Sequence, residues 1–258
     1  MKIRAVTAVL AMMIVGVTFP FAEGAAAQAP AIRVLASNGV GGALNDIIPQ
    51  CERATGHPLA VEFSTTAALK PRIEGGEAFD LTVLTSDAID ALIKEGKVLA
   101  DSRTNISRVG IGVGIRSGAA KPDLSTPEAL KATLLNAKSI TYAQSGASRP
   151  TIDKMLDRLG IADALKSKTL LLPGAEETTA AVASGKAELL VTLISEIMSA
   201  KGMELAGPLP KEFQTYVAFT AGVSPNAKDI EAAKSAVKFL TGSEAAAAYR
   251  AKGMEPGK

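Results

Sequence analysis

Apolar and polar positions alternate along most of this chain in two rhythms, short β-rich runs and longer stretches of helical period. Residues 32–36, 59–63 and 80–84 are compact apolar runs that read as strands. Each is followed by Ser, Thr, Asn or Gly and then by a stretch with helical spacing. The spacing predicts a helix over 43–54 after the turn Ser37-Asn38-Gly39-Val40-Gly41-Gly42. A second helix opens at Ser64-Thr65-Thr66 and stops at Gly75-Gly76, and a third is capped by Thr85-Ser86-Asp87 and turns Ile89, Leu92 and Ile93 inward. This alternation is the pattern of an α/β protein with helices on the faces of a sheet.

The rhythm changes after Asp101. Residues 109–115 form a long apolar strand where the chain is expected to cross into a second lobe. Within that lobe Ser125-Thr126-Pro127-Glu128 carries a capping box and an early proline, two helix-start signals. A strand at 139–142 leads through Gln144-Ser145-Gly146-Ala147-Ser148-Arg149-Pro150 into a helix whose Ile152, Met155, Leu156 and Leu159 lie on one face. Residues 169–172 and 189–193 read as further strands, 214–223 as the return crossing, and 226–241 and 243–252 as closing helices. The expected organisation is one lobe of residues 28–108 with 220–258 and another of 109–219.

The amino-terminal stretch has a different character. Lys2 and Arg4 precede an apolar run over residues 5–21, and Ala25 and Ala27 match the small-x-small cleavage pattern. The expectation is a signal peptide of residues 1–27 and a mature protein in the periplasm. The run falls short of the roughly 20 residues a bilayer span requires.

Composition then removes several classes of function. Lys and Arg number 28 against 26 Asp and Glu, so the chain offers no basic field for nucleic acid and no polybasic membrane patch. Cys51 is the single cysteine, which excludes an intrachain disulfide, and its spacing with Leu44, Ile47 and Ile48 marks it as a small buried hydrophobe. Tryptophan is absent and there are three Tyr, too few aromatics for a sugar platform or a quaternary-ammonium cage.

Candidate chemistry lies where ligands gather in open α/β sheets, beyond the carboxyl ends of the strands. Ser37, Asn38, Gly39, Thr65, Thr66, Ser145 and Ser148 occupy those loops, and each loop leads into a helix N-terminus with free N–H groups. Each hydroxyl also suits a simple helix cap. Arg149 would add a guanidinium able to hold a carboxylate or oxyanion bidentately. His57, the single histidine, belongs to the opposite rim, so a Ser-His-Asp triad is not expected and neither is a multi-histidine metal site. The pair Glu176-Glu177 reads as a dipole complement in a helix's first turn. No catalysis, no cofactor and no metal are expected.

Ile32-Arg33-Val34-Leu35-Ala36-Ser37, Arg72-Ile73-Glu74-Gly75-Gly76, Phe79-Asp80-Leu81-Thr82-Val83-Leu84 and residues 156–160 resemble the periplasmic molybdate-binding proteins of ABC transporters. Gly207-Pro208-Leu209-Pro210 and Lys252-Gly253-Met254-Glu255-Pro256 look like one branch of that superfamily. The resemblance implies the type II periplasmic-binding-protein fold, two α/β lobes joined by two crossing strands, closing over a ligand. It also implies a monomeric receptor that hands a small anion to a permease in the inner membrane. Carried over by alignment, the family's first serine falls on Gly39, its second on Thr66, its second-lobe loop contact on Ser148, a backbone contact near Ala175 and a tyrosine on Leu193. Gly39 and Leu193 lack the hydroxyl found there. The implied ligand is an oxyanion such as molybdate. A small organic carboxylate, an exported sensing module and a secreted hydrolase remain as alternatives.

Overall fold

The computed structural model of the chain describes residues 29–257, so the expected signal peptide lies outside the described residues. In chain order the elements begin β1 (Ile32–Ser37), α1 (Asn38–Thr55), β2 (Leu59–Ser64), α2 (Thr66–Glu74), β3 (Leu81–Thr85), α3 (Ser86–Lys94) and β4 (Thr104–Arg116). They continue α4 (Pro127–Asn136), β5 (Ile140–Ala143), α5 (Arg149–Leu159), α6 (Ala162–Leu165), β6 (Thr169–Leu172), α7 (Ala175–Ala183), β7 (Leu189–Leu193) and α8 (Ile194–Ser199). The chain closes with β8 (Met203–Pro208), β9 (Tyr216–Val223), α9 (Ile230–Phe239), α10 (Ser243–Ala251) and β10 (Met254–Pro256).

The strands run in the order β2-β1-β3-β9-β4-β7-β5-β6, with β10 and β8 also paired to β4. The parallel trio β2-β1-β3 belongs to one lobe and the parallel trio β7-β5-β6 to the other. Strand β4 belongs to both. Its residues 104–110 pair with β9, and residues 107–109 with β10 on the other side. Its residues 111–114 pair with β7, and residues 112–116 with β8. The return passes through residues 209–215 rather than along β9, which lies wholly in the first lobe's sheet. There the Gln214 side chain accepts from the Ile111 N–H at 2.8 Å and donates to the Ile111 carbonyl at 2.9 Å, standing in for a strand partner where β4 changes sheets.

Other boundaries differ from the sequence expectation as well. Helix α1 starts at Asn38 rather than 43, because Ser37 caps it and glycine permits close packing in its first turns. A Cβ on Gly42 would sit 1.8 Å from Ser199 Oγ, so α1 and α8 pack backbone to side chain at that point. Strands β8 and β10 went unpredicted, the first lying in a Gly- and Pro-bearing segment and the second spanning three residues. The main core joins β1, β4, β5, β7 and β9 to α1, α5, α9 and α10. Cys51 lies inside it, and burial pushes its thiol up to about 11, so it is inert packing.

Candidate functional site

Because β1, β2 and β3 are parallel, as are β5, β6 and β7, the helices that follow them begin on the two rims that face each other across the molecule. A cavity of about 700 Å³ lies between these rims. The first lobe supplies Asn38, Gly41, Gly42 and Asn45 from α1 and Phe63, Ser64 and Thr65 from the end of β2. The second lobe supplies Ser145, the Pro173-Gly174-Ala175 approach to α7, and Glu176, Glu177, Glu196 and Ser199. A second cavity of about 780 Å³ lies on the other side of Ser145 and takes in Thr66, Lys70, Thr85, Ser86 and Tyr216.

Helix α7 presents its N-terminus to the first cavity without a side-chain cap, since Gly174 precedes it in an extended conformation. Its first-turn N–H groups are therefore available to an acceptor in the cavity. A Cβ on Gly174 would lie 3.3 Å from Glu177 Oε2 and 4.0 Å from Asn38 Nδ2, so the Asn38 carboxamide reaches across to α7 from the opposite rim. The Thr65 hydroxyl accepts from Ala68 N at 3.1 Å and is a helix cap that also lines the wall.

Of the nine residues expected at the site, Asn38, Thr65, Ser145 and Ala175 meet at this cavity. Thr66 turns to the second cavity, where its hydroxyl accepts from Thr85 N at 3.4 Å. Ser37 is buried, its hydroxyl spent on the Gly39 N–H at 3.4 Å. Gly39 is buried too: a Cβ there would meet Phe219 Cζ at 2.4 Å and Leu193 Cδ1 at 2.7 Å. Its carbonyl accepts from Ser195 Oγ at 2.7 Å, so the residue is a packing contact between the lobes rather than part of the wall. Ser148 is buried at the start of α5 and caps nothing.

Arg149 is the clearest departure from expectation. Its Nε donates to Asp153 at 2.7 Å, its guanidinium lies 5.1 Å from the centroid of the Tyr142 ring, and it lines a separate outer cavity of about 380 Å³. The carboxylate one turn along offsets the arginine's unfavourable place at a helix start. His57 stands apart as well, with Nδ1 3.1 Å from the Pro30 carbonyl.

Asn45 and Glu196 line the cavity without having been singled out from the sequence. Glu196 follows the β7 strand end by three residues, the position from which the other rim loops were drawn, and that was the available signal. Its carboxylate accepts from the Thr192 hydroxyl, and burial pushes its pKa up to about 7, which the Thr192 bond partly offsets. No Lys or Arg stands among the residues lining the first cavity, so its donors to an anion are amides, hydroxyls and backbone N–H groups. Among the described residues no group of three or more His, Cys, Asp or Glu side chains is placed to hold a metal ion. No described helix is long and apolar enough to cross a membrane.

Comparison with known proteins agrees with this architecture. Residues 32–255 match the profile of the family described as bacterial extracellular solute-binding protein. The chain is 29% identical over 237 residues to the aconitate isomerase of a Pseudomonas species, covering 90% of each protein. It is 27% identical over 235 residues to the molybdate-binding protein ModA of Azotobacter vinelandii, covering 88% of this chain and 91% of that one. The solved periplasmic molybdate-binding protein of Azotobacter vinelandii superposes with a TM-score of 0.74 at 18% identity, over 86% of this chain and 98% of that chain. Its fold is shared.

Proposed function

Since this chain belongs to the bacterial extracellular solute-binding proteins, we propose that it is the periplasmic receptor of an ABC importer and that its cleft captures a small organic acid by its carboxylates. The observation that carries the ligand class is the packing of Gly39 between Phe219 and Leu193. The alignment to molybdate-binding proteins assigns an oxyanion-binding serine and tyrosine to Gly39 and Leu193. Here both are apolar contacts, which argues against a tetrahedral metal oxyanion as the preferred guest. The cavity of about 700 Å³ is well within the range used for small organic ligands. A relative named for aconitate, a tricarboxylate, points the same way.

In this reading one carboxylate sits at the uncapped N-terminus of α7, with Ser145 beside it and Asn38 and Thr65 opposite. Both rims are satisfied together when the lobes are closed, so ligand shifts the population toward the closed form, which the membrane permease then engages.

The test is a thermal-shift series on ligand-stripped, refolded residues 28–258 with cis-aconitate, trans-aconitate, citrate, malate, molybdate, tungstate, sulfate and phosphate. A ligand at 100 times its Kd adds about 2.7 kcal/mol of stability. A response confined to organic acids supports the proposal, and a response confined to molybdate and tungstate refutes the ligand class. Proton NMR of trans-aconitate mixed with the protein supplies a second arm. Appearance of the cis isomer would overturn the receptor-only reading and make the chain an isomerase.

A further inference from the structure

The cavity wall holds a carboxyl group with no counter-charge. Glu196, in the first turn of α8, is half-buried where it lines the cleft. One of its oxygens, Oε2, is occupied by the Thr192 hydroxyl, while Oε1 has no hydrogen-bond partner among the described residues. The charged groups on the elements around it give it no help. Glu176 and Glu177 of α7 line the same cavity and share its sign. Asp46 of α1 is tied to Lys252, and Glu204 of β8 to Lys121. Arg116 stands at the far end of β4, beside Gly185. Burial alone drives its acidity down, with the Thr192 bond acting the other way and no neighbouring charge contributing.

An ionised Glu196 would therefore face any incoming carboxylate as an uncompensated like charge at short range. Such a pair relieves itself by keeping one proton between its members. A neutral Glu196 turns the same position from a repulsive acceptor into a donor. We propose that Glu196 enters the complex as the neutral acid and donates a hydrogen bond from its free carboxyl oxygen to a carboxylate of the bound ligand, so that capture takes up one proton from solvent at neutral and alkaline pH. This rests on the reading of the cleft as an organic-acid site. No covalent step is involved: the proton comes from water or buffer, stays on Glu196 while the ligand is bound and leaves with its release.

The experiment uses residues 28–258 labelled with carbon-13 at the glutamate side-chain carboxyls. The Glu196 resonance is assigned as the one missing in Glu196→Gln, or shifted in Glu196→Asp should the first variant not fold. Its titration is followed without ligand and then with saturating trans-aconitate, whose own carboxyls are ionised across the neutral and alkaline range. The expected result is a midpoint near neutrality in the free protein that moves up by a pH unit or more on binding. Wild-type affinity should then fall about tenfold per pH unit between the two midpoints, while the Gln variant binds with nearly constant affinity. A Glu196 that titrates in the ordinary carboxylate range, or moves down on binding, overturns the proposal while leaving the organic-acid reading standing. If neither trans-aconitate nor the other organic acids bind, the organic-acid reading fails and takes this proposal with it.

Discussion

Replacing Gly39 with serine would put a hydroxyl back where the molybdate-binding proteins are aligned to carry one, and the structure says what it would meet. The new Cβ would lie 2.4 Å from Phe219 Cζ and 2.7 Å from Leu193 Cδ1, both of them side chains with almost no exposure. Phe219 cannot step aside cheaply. Its backbone is paired to Thr85 of β3 on one side and to Ser107 of β4 on the other. Overpacking of a closed core costs about 1–3 kcal/mol, and two rigid neighbours place this site in the upper part, about 2–3 kcal/mol. For a domain of this size each kcal/mol lowers Tm by about 2–4 °C, so Gly39→Ser should melt about 4–12 °C below wild type. Gly39→Ala should lose most of the same amount, because the clash is with Cβ rather than with the hydroxyl. Scanning calorimetry without ligand measures both, and adding Phe219→Leu should return part of the loss, since the two positions share one contact. A serine variant that melts within a degree of wild type would show that Phe219 and Leu193 yield freely. Gly39 would then be open to a ligand, and molybdate would be as good a guest as an organic acid.

Glu196 makes stability depend on pH in a definite direction. Its native pKa, pushed by burial up to about 7, stands above the ordinary carboxyl value of the unfolded chain, so the native state holds more protons than the unfolded state between them and stability falls as pH rises through that window. Urea unfolding should show Glu196→Gln gaining up to about 3 kcal/mol over wild type by pH 8 and little at pH 4, and parallel pH profiles would refute it. Arg149→Ala should leave affinity for the organic acid within about twofold, because its guanidinium is spent on Asp153 and Tyr142 outside the cleft; a tenfold loss would return it to the ligand. Gln214→Ala removes both hydrogen bonds to Ile111 and should cost about 1–3 kcal/mol in denaturant unfolding. An unchanged midpoint would mean that water replaces the amide without loss.

What could be read from the sequence was what local period and topology control. The strands ending at Ser37, Ser64 and Ala143 follow from short apolar runs, and parallel pairing within each lobe places their carboxyl ends on the two rims that face each other. Asn38, Thr65, Ser145 and Ala175 line one cavity for that reason. The structure departs from expectation where contacts distant in sequence decide. Glycines 39, 41 and 42 look like a turn, yet they form the first turns of α1 because Phe219, Phe63 and Ser199 approach so closely there. Arg149 was assigned to the ligand from its loop alone, and the ring of Tyr142 beneath it is a tertiary fact. The place of Glu196 just past β7 is legible locally, but its altered acidity is not, since that comes from burial by the surrounding fold.

The shared strand β4 has a thermodynamic consequence. Its lower half is sandwiched by β9 and β10, and its upper half by β7 and β8. Melting either lobe would strip both neighbours from part of one unbroken strand, and the Gln214 amide would lose its anchor at the junction. The enthalpy of the two lobes is thereby tied together, and heating should produce one sharp endotherm whose calorimetric and van't Hoff enthalpies agree. Neither lobe is an excisable module, and a fragment cut at residue 110 should fail to hold native structure. Closure of the lobes, if it bends the chain at Ile111, would thus leave unfolding a single transition.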